Sequence, residues 1–192
     1  MSARPAHLIV IGLMGSGKTT IGSAVAARLH RPHRDSDADL SARTGRSARD
    51  IAASDGVEAL HALELDLLRE ALAAARPTVV NAAASVIDGP AGRDALAMPG
   101  VAVAWLRIDA GAAAARSDGG QHRPWHEDLA DQAARRDPWF AAVADIVVDA
   151  SVDPAAITER LVEWAGRDHG GDPAEPGASA ESVESVESGL TG

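Results

Sequence analysis

The sequence predicts an α/β fold in which a parallel sheet is covered by helices on both faces. Short runs of β-branched and aliphatic residues recur along the chain, and segments with apolar residues at helical spacing lie between them. The runs are almost wholly apolar, as is typical of parallel strands that are buried on both faces. Alanine supplies 42 of the 192 residues, which favours helix in the connecting segments.

The predicted strands are short and are bounded by glycine, proline or polar residues. The first run, His-Leu-Ile-Val-Ile-Gly, is β-branched and leads into a glycine-rich loop. The second follows Pro77, and a turn signal, Asp-Gly-Pro, comes after it at residues 88–90. Two further apolar runs complete the pattern. The strands are therefore predicted at residues 7–12, 78–81, 101–108 and 144–148.

Helices are predicted where apolar residues recur every three or four positions. After the first helix the chain turns polar and acidic around residues 34–37, and two short helical pieces then precede a longer helix. Asp55 and Glu58 have the spacing of a capping box, which predicts Asp55 as the N-cap of that longer helix. The principal helices are predicted at residues 19–30, 57–75 and 154–164.

The length is consistent with one domain, and the composition changes sharply near the end of the chain. Residues 167–192 are rich in Gly, Pro, Ser, Glu and Ala and contain almost no large apolar side chains. Such a segment cannot bury enough surface to offset the entropy that ordering it would cost. We therefore expect a folded domain over residues 1–166 and a disordered acidic tail over residues 167–192.

The charge distribution excludes several classes of partner. The formal net charge is −10, but six of the 28 acidic residues and none of the 18 basic residues lie beyond Arg167, so residues 1–167 carry only −4. With no basic stripe and few aromatic residues, we expect no nucleic-acid partner. No apolar run approaches the roughly 20 residues of a membrane span, so we expect no membrane partner. The absence of cysteine fits a reducing compartment, and we expect a cytoplasmic monomer.

Residues 12–19 match the phosphate-binding pattern G-x-x-x-x-G-K-[ST], and the match lies between a predicted strand and a predicted helix, as its mechanism requires. The glycines allow backbone N–H groups to converge on phosphates, and the helix N-terminus adds partial positive charge. Lys18 is expected to reach the β- and γ-phosphates, and Thr19 is expected to offer its hydroxyl to Mg²⁺. The predicted nucleotide-binding residues of this loop are Gly15, Ser16, Gly17, Lys18, Thr19 and Thr20.

Lysine usage supports the same interpretation. Of the 18 basic residues 17 are arginine, and Lys18 is the only lysine in the chain. A compact ammonium on a flexible stem differs physically from the rigid guanidinium fork, and the chain retains it at the one position where the phosphate loop needs it. A single lysine at this position also leaves none for the Asn-Lys-x-Asp signature of a guanine site, which argues against a GTPase.

Three motifs that follow the phosphate loop narrow the class. They are Arg-Asp-Ser-Asp at residues 34–37, Thr-Gly-Arg-Ser at 44–47 and Asp-Gly at 55–56. Together with Gly-Leu-Met-Gly-Ser-Gly-Lys-Thr-Thr at 12–20, they resemble the shikimate kinase family over roughly residues 7–165. The combination is considerably more specific than the phosphate loop alone.

The resemblance implies the P-loop kinase fold of the nucleoside monophosphate kinases, with a five-stranded parallel sheet flanked by helices, a substrate-binding helical segment and a mobile lid. The lid would lie at about residues 117–128, and Arg123, within His-Arg-Pro, matches the lid arginine that closes over ATP. The cofactors implied are ATP and Mg²⁺, and the partner implied is a small molecule with an acceptor hydroxyl. By the same resemblance Lys18, Asp37 and Arg123 are the candidate catalytic residues.

The resemblance also assigns the two acids and a second arginine. Asp35 matches the acid that helps to hold Mg²⁺ through water, with Thr19 as the other metal-site residue. Asp37 matches the acid that orients the acceptor hydroxyl, and Arg136 matches the arginine that pairs with the acceptor's carboxylate. Plainer alternatives stay open. The acids could be loop and N-cap residues, and Arg123 and Arg136 could be solvated surface charges.

Three departures from the family pattern fall on the acceptor side. Alanines at residues 82–84 replace a Gly-Gly-Gly segment, which predicts backbone strain of about 1–2 kcal/mol at each alanine if positive φ is needed. Leu60-His61 replaces Phe-Arg, so one charged partner for a carboxylate is lost. The segment between Arg123 and Arg136 is several residues shorter. The predicted acceptor-binding residues are Asp37, His61, Ala83 and Arg136, although His61 could equally be a packed core residue.

These observations predict an ATP-dependent small-molecule kinase, with shikimate 3-phosphorylation the leading single reaction. Two alternatives remain open at this point. One is a kinase for a different small acceptor, because the acceptor half is altered while the nucleotide half is intact. The other is a regulatory module that binds nucleotide and has lost catalysis.

Overall fold

A computed structural model describes residues 7–116 and 128–167 and contains one five-stranded parallel sheet. The strand order is β2-β3-β1-β4-β5, with β1 at the centre. The predicted five-stranded parallel α/β architecture is therefore confirmed. The strands are β1 (His7–Ile11), β2 (His33–Asp35), β3 (Val79–Asn81), β4 (Val101–Arg107) and β5 (Ile146–Asp149).

Helices connect successive strands, as parallel pairing requires. The helices are α1 (Lys18–Leu29), α2 (Ser36–Thr44), α3 (Ala48–Asp55), α4 (Val57–Leu72), α5 (Pro90–Leu96), α6 (Ala110–Arg116), α7 (Leu129–Val143) and α8 (Pro154–Ala165), with a 3₁₀ turn at Ala84–Ile87. The expected turn at residues 88–90 lies between that 3₁₀ turn and α5. Within the two described ranges, no helix has the length and apolar character needed to cross a membrane.

The main core surrounds the central strand. All of β1 except His7 is buried, and Leu8, Ile9 and Val10 pair with residues of both β3 and β4. Apolar side chains from α1 and α8 cover the sheet and belong to the same buried cluster. The alternation of strand and helix in the sequence thus produces a sheet that is buried on both faces.

A second, smaller apolar cluster joins α2, α3 and α4 beside the sheet. It consists of Leu40, Ala48, Ile51, Leu60 and Leu67, all buried. The three helices carry the residues that follow β2, so this cluster holds the helical segment that the resemblance assigns to substrate binding. The segment therefore has an apolar core of its own, separate from the core of the sheet.

Strand β2 is absent from the sequence-based prediction, which placed only a polar turn there. Its three residues, His33, Arg34 and Asp35, are each half-buried, and none is apolar. They form a strand because they pair in register with Val79–Asn81 of β3 at the edge of the sheet. Hydrophobic patterning carries no signal for such a short polar edge strand.

The predicted cap of α4 is wrong. Gly56, at φ +93°, is the N-cap of α4, while Asp55 is the last residue of α3 and forms an ion pair with Arg46 at 2.7 Å. The capping box lies at the start of α3, where Ser47 and Asp50 bond reciprocally. Two helices meet at Gly56 with no intervening loop, so the acid before it ends one helix and cannot cap the next.

We expect Gly92→Ala to destabilise the protein through the contact between α5 and the 3₁₀ turn. A Cβ at residue 92 would lie 1.8 Å from the backbone oxygen of Val86. Overpacking of this kind costs about 1–3 kcal/mol, measurable by urea unfolding. Gly89→Ala is the matched control, because a Cβ there meets nothing within 4 Å. Equal stability of the two variants would contradict the close packing described here.

Candidate active site

A cavity of about 660 Å³ opens at the carboxyl ends of β1, β2 and β3. Parallel α/β sheets bind ligands at this edge because the loops that follow adjacent strands converge there. Most of the predicted site residues line the cavity: Gly15, Gly17, Lys18, Thr19, Thr20, Asp35, Asp37, His61, Ala83 and Arg136. The structure thus brings the two predicted halves of the site together in one space.

Ser16 does not line the cavity; its hydroxyl is buried and has no hydrogen-bond partner within residues 7–116 and 128–167. Arg123 and nearly all of the predicted lid at 117–128 lie outside the described residues, as does the predicted tail beyond Arg167. Their roles remain predictions.

The phosphate loop has a backbone that demands glycine. Gly12, Gly15 and Gly17 all have positive φ, at +146°, +77° and +88°. A Cβ at Gly15 would also lie 2.2 Å from the backbone oxygen of Ala113 on α6. Helix α1 begins directly at Lys18 with no side-chain cap, so its first N–H groups are available to an anion at the helix N-terminus.

The Lys18 ammonium folds back over the loop that carries it. Its Nζ donates to the carbonyl oxygens of Gly12 and Leu13, each at 2.9 Å. These neutral acceptors hold the ammonium at the mouth of the loop, beside the cavity. A phosphate oxygen is a stronger hydrogen-bond acceptor for an ammonium than a neutral carbonyl, so Lys18 can exchange these carbonyls for phosphate oxygens.

Asp35 joins three elements at the centre of the nucleotide end. Its Oδ2 accepts hydrogen bonds from the Thr19 hydroxyl at 2.9 Å and from the Asn81 side-chain amide at 3.0 Å. Its Oδ1 accepts from the backbone N–H of Asp37 at 3.1 Å, which caps α2. The carboxylate therefore ties α1, α2 and β3 together at the end of β2.

Burial alone would raise the pKa of Asp35, but its hydrogen bonds outweigh that effect. The side chains of Asn81 and Thr19, together with the backbone N–H groups of Asp37 and Ala38, hold the pKa of Asp35 below its ordinary value. The group is therefore ionised at neutral pH. An ionised carboxylate beside a hydroxyl provides the hard oxygen ligands that Mg²⁺ prefers, so these residues fit that ion.

Asp37 follows Asp35 by two residues, and its backbone N–H donates to the Asp35 carboxylate. It is exposed in the first turn of α2, and it lines the cavity together with Lys18 and Thr19. Its position in the same cavity as the phosphate loop suits a group that contacts a second substrate.

Arg136 lies at the acceptor end, but an acid of this chain already binds it. Its Nε and Nη2 donate to the two carboxylate oxygens of Asp88 at 2.8 and 2.6 Å, and its Nη1 donates to Gln132 at 2.7 Å. Arg135 also donates to Asp88, at 3.1 Å. Arg136 is thus neither the solvated surface charge of the plainer alternative nor a guanidinium with both edges open to a ligand.

His61, on α4, is half-buried and lines the cavity. Leu60 beside it is buried in the second apolar cluster. Leu60 thus both packs in the cluster and, together with His61, lines the cavity.

The expected strain at the three alanines is absent. Among the described non-glycine residues only His30 has positive φ, and Ala83 has an extended backbone at φ −60° and ψ 143°. Ala82 and Ala83 are buried, and the chain turns into a 3₁₀ helix at Ala84. The alanine segment thus adopts a backbone that suits alanine, and Ala83 and Ala84 present methyl groups to the cavity.

The sequence analysis missed three polar residues of the site. The sequence predicts Asn81 only as the end of a strand and Asp88 only as a turn residue, and it assigns no role to Glu64. Glu64 is fully buried and accepts a hydrogen bond from Ser85 on the cavity wall. Asn81 directly follows an apolar run. That pattern could have indicated a site residue, because the carboxyl ends of parallel strands face the ligand.

Comparison with known proteins identifies the family. A family model described as shikimate kinase matches residues 14–165. The shikimate kinase of Synechococcus elongatus is 33% identical over 163 residues, which cover 81% of this chain and 84% of that protein. That of Mycobacterium bovis is 34% identical over 161 residues, covering 80% and 90%. The chain belongs to the shikimate kinase family.

Solved structures show the same fold. Shikimate kinase from Acinetobacter baumannii, in complex with shikimate, matches with a TM-score of 0.79 at 22% identity and covers 84% of this chain and 93% of that one. A gluconokinase from Sinorhizobium meliloti matches with a TM-score of 0.60 at 23% identity, covering 84% and 92%. The P-loop kinase fold expected from the sequence is confirmed.

As a shikimate kinase family member, the chain is an ATP-dependent phosphotransferase with an alcohol acceptor, and ATP and Mg²⁺ are its cofactors. The intact nucleotide end and the ionised Asp35 beside Thr19 agree with this assignment. Two of the departures from the family pattern, Leu60-His61 and the alanine segment, line the acceptor end of the cavity.

We expect Asn81→Leu to weaken Mg²⁺-dependent nucleotide binding about two- to tenfold by removing one hydrogen bond to Asp35. The lowered pKa of Asp35 keeps its charge at neutral pH, and that charge is lost only as the pH falls through the lowered value. The variant raises this pKa, so the loss of binding should begin at a higher pH, as measured by calorimetric titration across pH. The control is Thr78→Val, also buried beside β3 but bonded to Arg76 instead. An unchanged pH profile for Asn81→Leu would contradict this role.

Proposed function

We propose that this cavity is where the γ-phosphoryl group of ATP passes to a ring hydroxyl of a small polyhydroxylated acceptor of about shikimate's size. The observation that carries the proposal is that the phosphate loop, Asp35 and Asp37 open on one cavity of about 660 Å³. A space of this volume is typical of small-molecule sites. Because relatives of this chain are named shikimate kinases, shikimate is the first acceptor to test.

The nucleotide end would hold the donor. Lys18 and the N–H groups at the start of α1 would bind the β- and γ-phosphates, with Lys18 exchanging its loop carbonyls for phosphate oxygens. Thr19 and Asp35 would hold Mg²⁺, which when bound neutralises phosphate charge and aligns the phosphate chain. Arg123, in the predicted lid, is proposed to close over ATP.

The acceptor end would align the nucleophile. The Asp37 carboxylate would accept a hydrogen bond from the acceptor hydroxyl and direct its oxygen at the γ-phosphorus. As the new P–O bond forms and the bond to the β-phosphate oxygen breaks, the hydroxyl proton passes to Asp37 and ADP leaves. The other predicted acceptor-binding residues are His61, Ala83 and Arg136. All three line the cavity and would surround the acceptor.

One chain supplies both ends of this cavity, and we propose that it works as a monomer. We place it in the cytoplasm, where ATP is available as donor.

A regulatory module that binds nucleotide without transfer is the second candidate. The capture of Arg136 by Asp88 favours it, because a residue assigned to the acceptor is occupied. The two candidates differ in whether any small polyol is phosphorylated.

We expect Asp37→Asn to lower kcat about 10²-fold or more, because the amide cannot take the hydroxyl proton. Nucleotide affinity should stay within about twofold, since Asp37 contacts the acceptor and not ATP. ADP release with shikimate and other polyols measures the rate, and calorimetry measures binding. The control is Asp66→Asn, which removes an exposed acid on α4 outside the cavity. Full activity of Asp37→Asn would rule out the role proposed for it.

We expect Lys18→Met to weaken ATP binding at least about tenfold, the effect of losing one charge-assisted hydrogen bond. Lys18→Arg should not restore it, because the rigid guanidinium cannot adopt the position that the flexible ammonium takes against Gly12 and Leu13. Fluorescence titration with a labelled ATP analogue measures both. Wild-type affinity in either variant would refute the assignment of the loop.

A further inference from the structure

The two guanidinium groups at the acceptor end already pair with one carboxylate of this chain. The Asp88 carboxylate accepts hydrogen bonds from Nε and Nη2 of Arg136 in a bidentate pair, and it also accepts one from Nη1 of Arg135. The side chains of Arg136 and Asp88 are only 9% and 17% exposed. Water screens such a pair poorly, and a bidentate guanidinium–carboxylate pair is the strongest geometry available to these groups.

The backbone that carries Asp88 is itself held in place. Arg93 on α5 donates to the carbonyl oxygens of Ile87 and Asp88 at 2.6 and 3.2 Å. Gly92 lies so close to the backbone of Val86 that no Cβ fits there. Asp88 therefore cannot withdraw readily from Arg136 when a ligand arrives, and to break the pair would leave a poorly exposed carboxylate without its partner.

The facing wall contributes no fixed cation. Helix α4 presents Val57, Leu60 and His61 to the cavity. The imidazole of His61 lacks the guanidinium fork that binds both oxygens of a carboxylate. This wall suits the edge of an apolar ring and a hydroxyl group better than it suits a carboxylate.

The formal charges at the acceptor end therefore cancel. Asp37 and Asp88 contribute two negative charges, and Arg135 and Arg136 contribute two positive charges. The remaining cation nearby, Arg116, donates to the backbone oxygen of Ala150 at the end of β5. Among the described residues, a ligand carboxylate would meet guanidinium groups that Asp88 already pairs and would lie near two acids, whereas an uncharged ligand would meet no such penalty.

We infer that the acceptor of this site is an uncharged cyclic polyol, and that Asp88 sets this preference by occupying Arg136. The inference rests on the proposed function and names the class of its substrate. The side chains of Ser36, Ser85 and Gln132 line the cavity and would bond the hydroxyl groups, and the ring would lie against Leu60 and Ala83. The site thus keeps the groups that recognise hydroxyls, while Asp88 already pairs with both of its guanidinium groups.

The wild-type enzyme tests the inference without any substitution. Shikimate and its carboxamide share the ring and its hydroxyls and differ in the charge of one substituent. We expect kcat/KM to be about ten- to a hundredfold higher for the carboxamide, because a carboxylate in this site lacks one charged partner. The difference should lie in KM and not in kcat. Myo-inositol serves as a second uncharged acceptor. Equal values for the two ligands, or a preference for shikimate, would overturn the inference.

Asp88→Asn tests the residue. The amide keeps the shape and can still accept from Nε of Arg136, but it releases the positive charge towards the cavity. The KM for shikimate should fall about tenfold or more, while that for the carboxamide stays within about threefold. Asp94→Asn on α5 removes one acid outside the cavity and should change neither value. An unaltered preference in a folded Asp88→Asn protein, verified by thermal melting, would count against Asp88.

Binding separates failure of this inference from failure of the proposed function. Calorimetry with a non-hydrolysable ATP analogue bound measures the affinity for shikimate and for its carboxamide without any turnover. Tighter binding of the carboxamide with no transfer to any polyol supports the inference and refutes the proposed function. Transfer to shikimate together with tighter binding of shikimate supports the proposed function and refutes the inference.

Discussion

The nucleotide end of the site depends on one carboxylate. Asp35 ends the edge strand β2 and accepts hydrogen bonds from Thr19 on α1, from Asn81 at the end of β3 and from the backbone of α2. Those bonds keep it ionised despite burial, and they fix the relative positions of the phosphate loop and the helices that carry Asp37. The carboxylate proposed to hold Mg²⁺ is thus also the junction that joins the phosphate loop to the helix that carries Asp37.

The acceptor end follows a different principle. The nucleotide end keeps its strongest donors, the Lys18 ammonium and the N-terminus of α1, in contact with weak or replaceable partners. At the acceptor end, Arg136 is bound by Asp88 in a partly buried bidentate pair. One end is therefore prepared to receive charge, and the other has already balanced its own charge. This asymmetry matches two departures from the family pattern, Leu60-His61 and the alanine segment, which line the acceptor end.

Much of the fold could be predicted from local sequence. Strands β1, β3, β4 and β5 are apolar runs of the kind that a doubly covered sheet requires, and each lies within about two residues of its predicted position. Strand β2 could not be predicted, because three polar residues become a strand only when β3 provides a partner. The predicted N-cap of α4 was wrong for a related reason. Asp55 and Glu58 have the spacing of a capping box, but Asp55 is the last residue of α3 and Gly56 caps α4.

By itself, the sequence determined that the protein has a strand–loop–helix phosphate site with Lys18 at its centre, and which acids follow it. Glycine positions, a single lysine and strand periodicity are local properties, and no distant residue alters them. Only the tertiary structure decided what the acceptor end contains. Asp88 and Arg136 lie 48 residues apart and meet because the 3₁₀ turn after β3 packs beside α7. The backbone of the alanine segment, likewise, depends on the turn into which it leads, so its lack of strain could not be read from three alanines in a row.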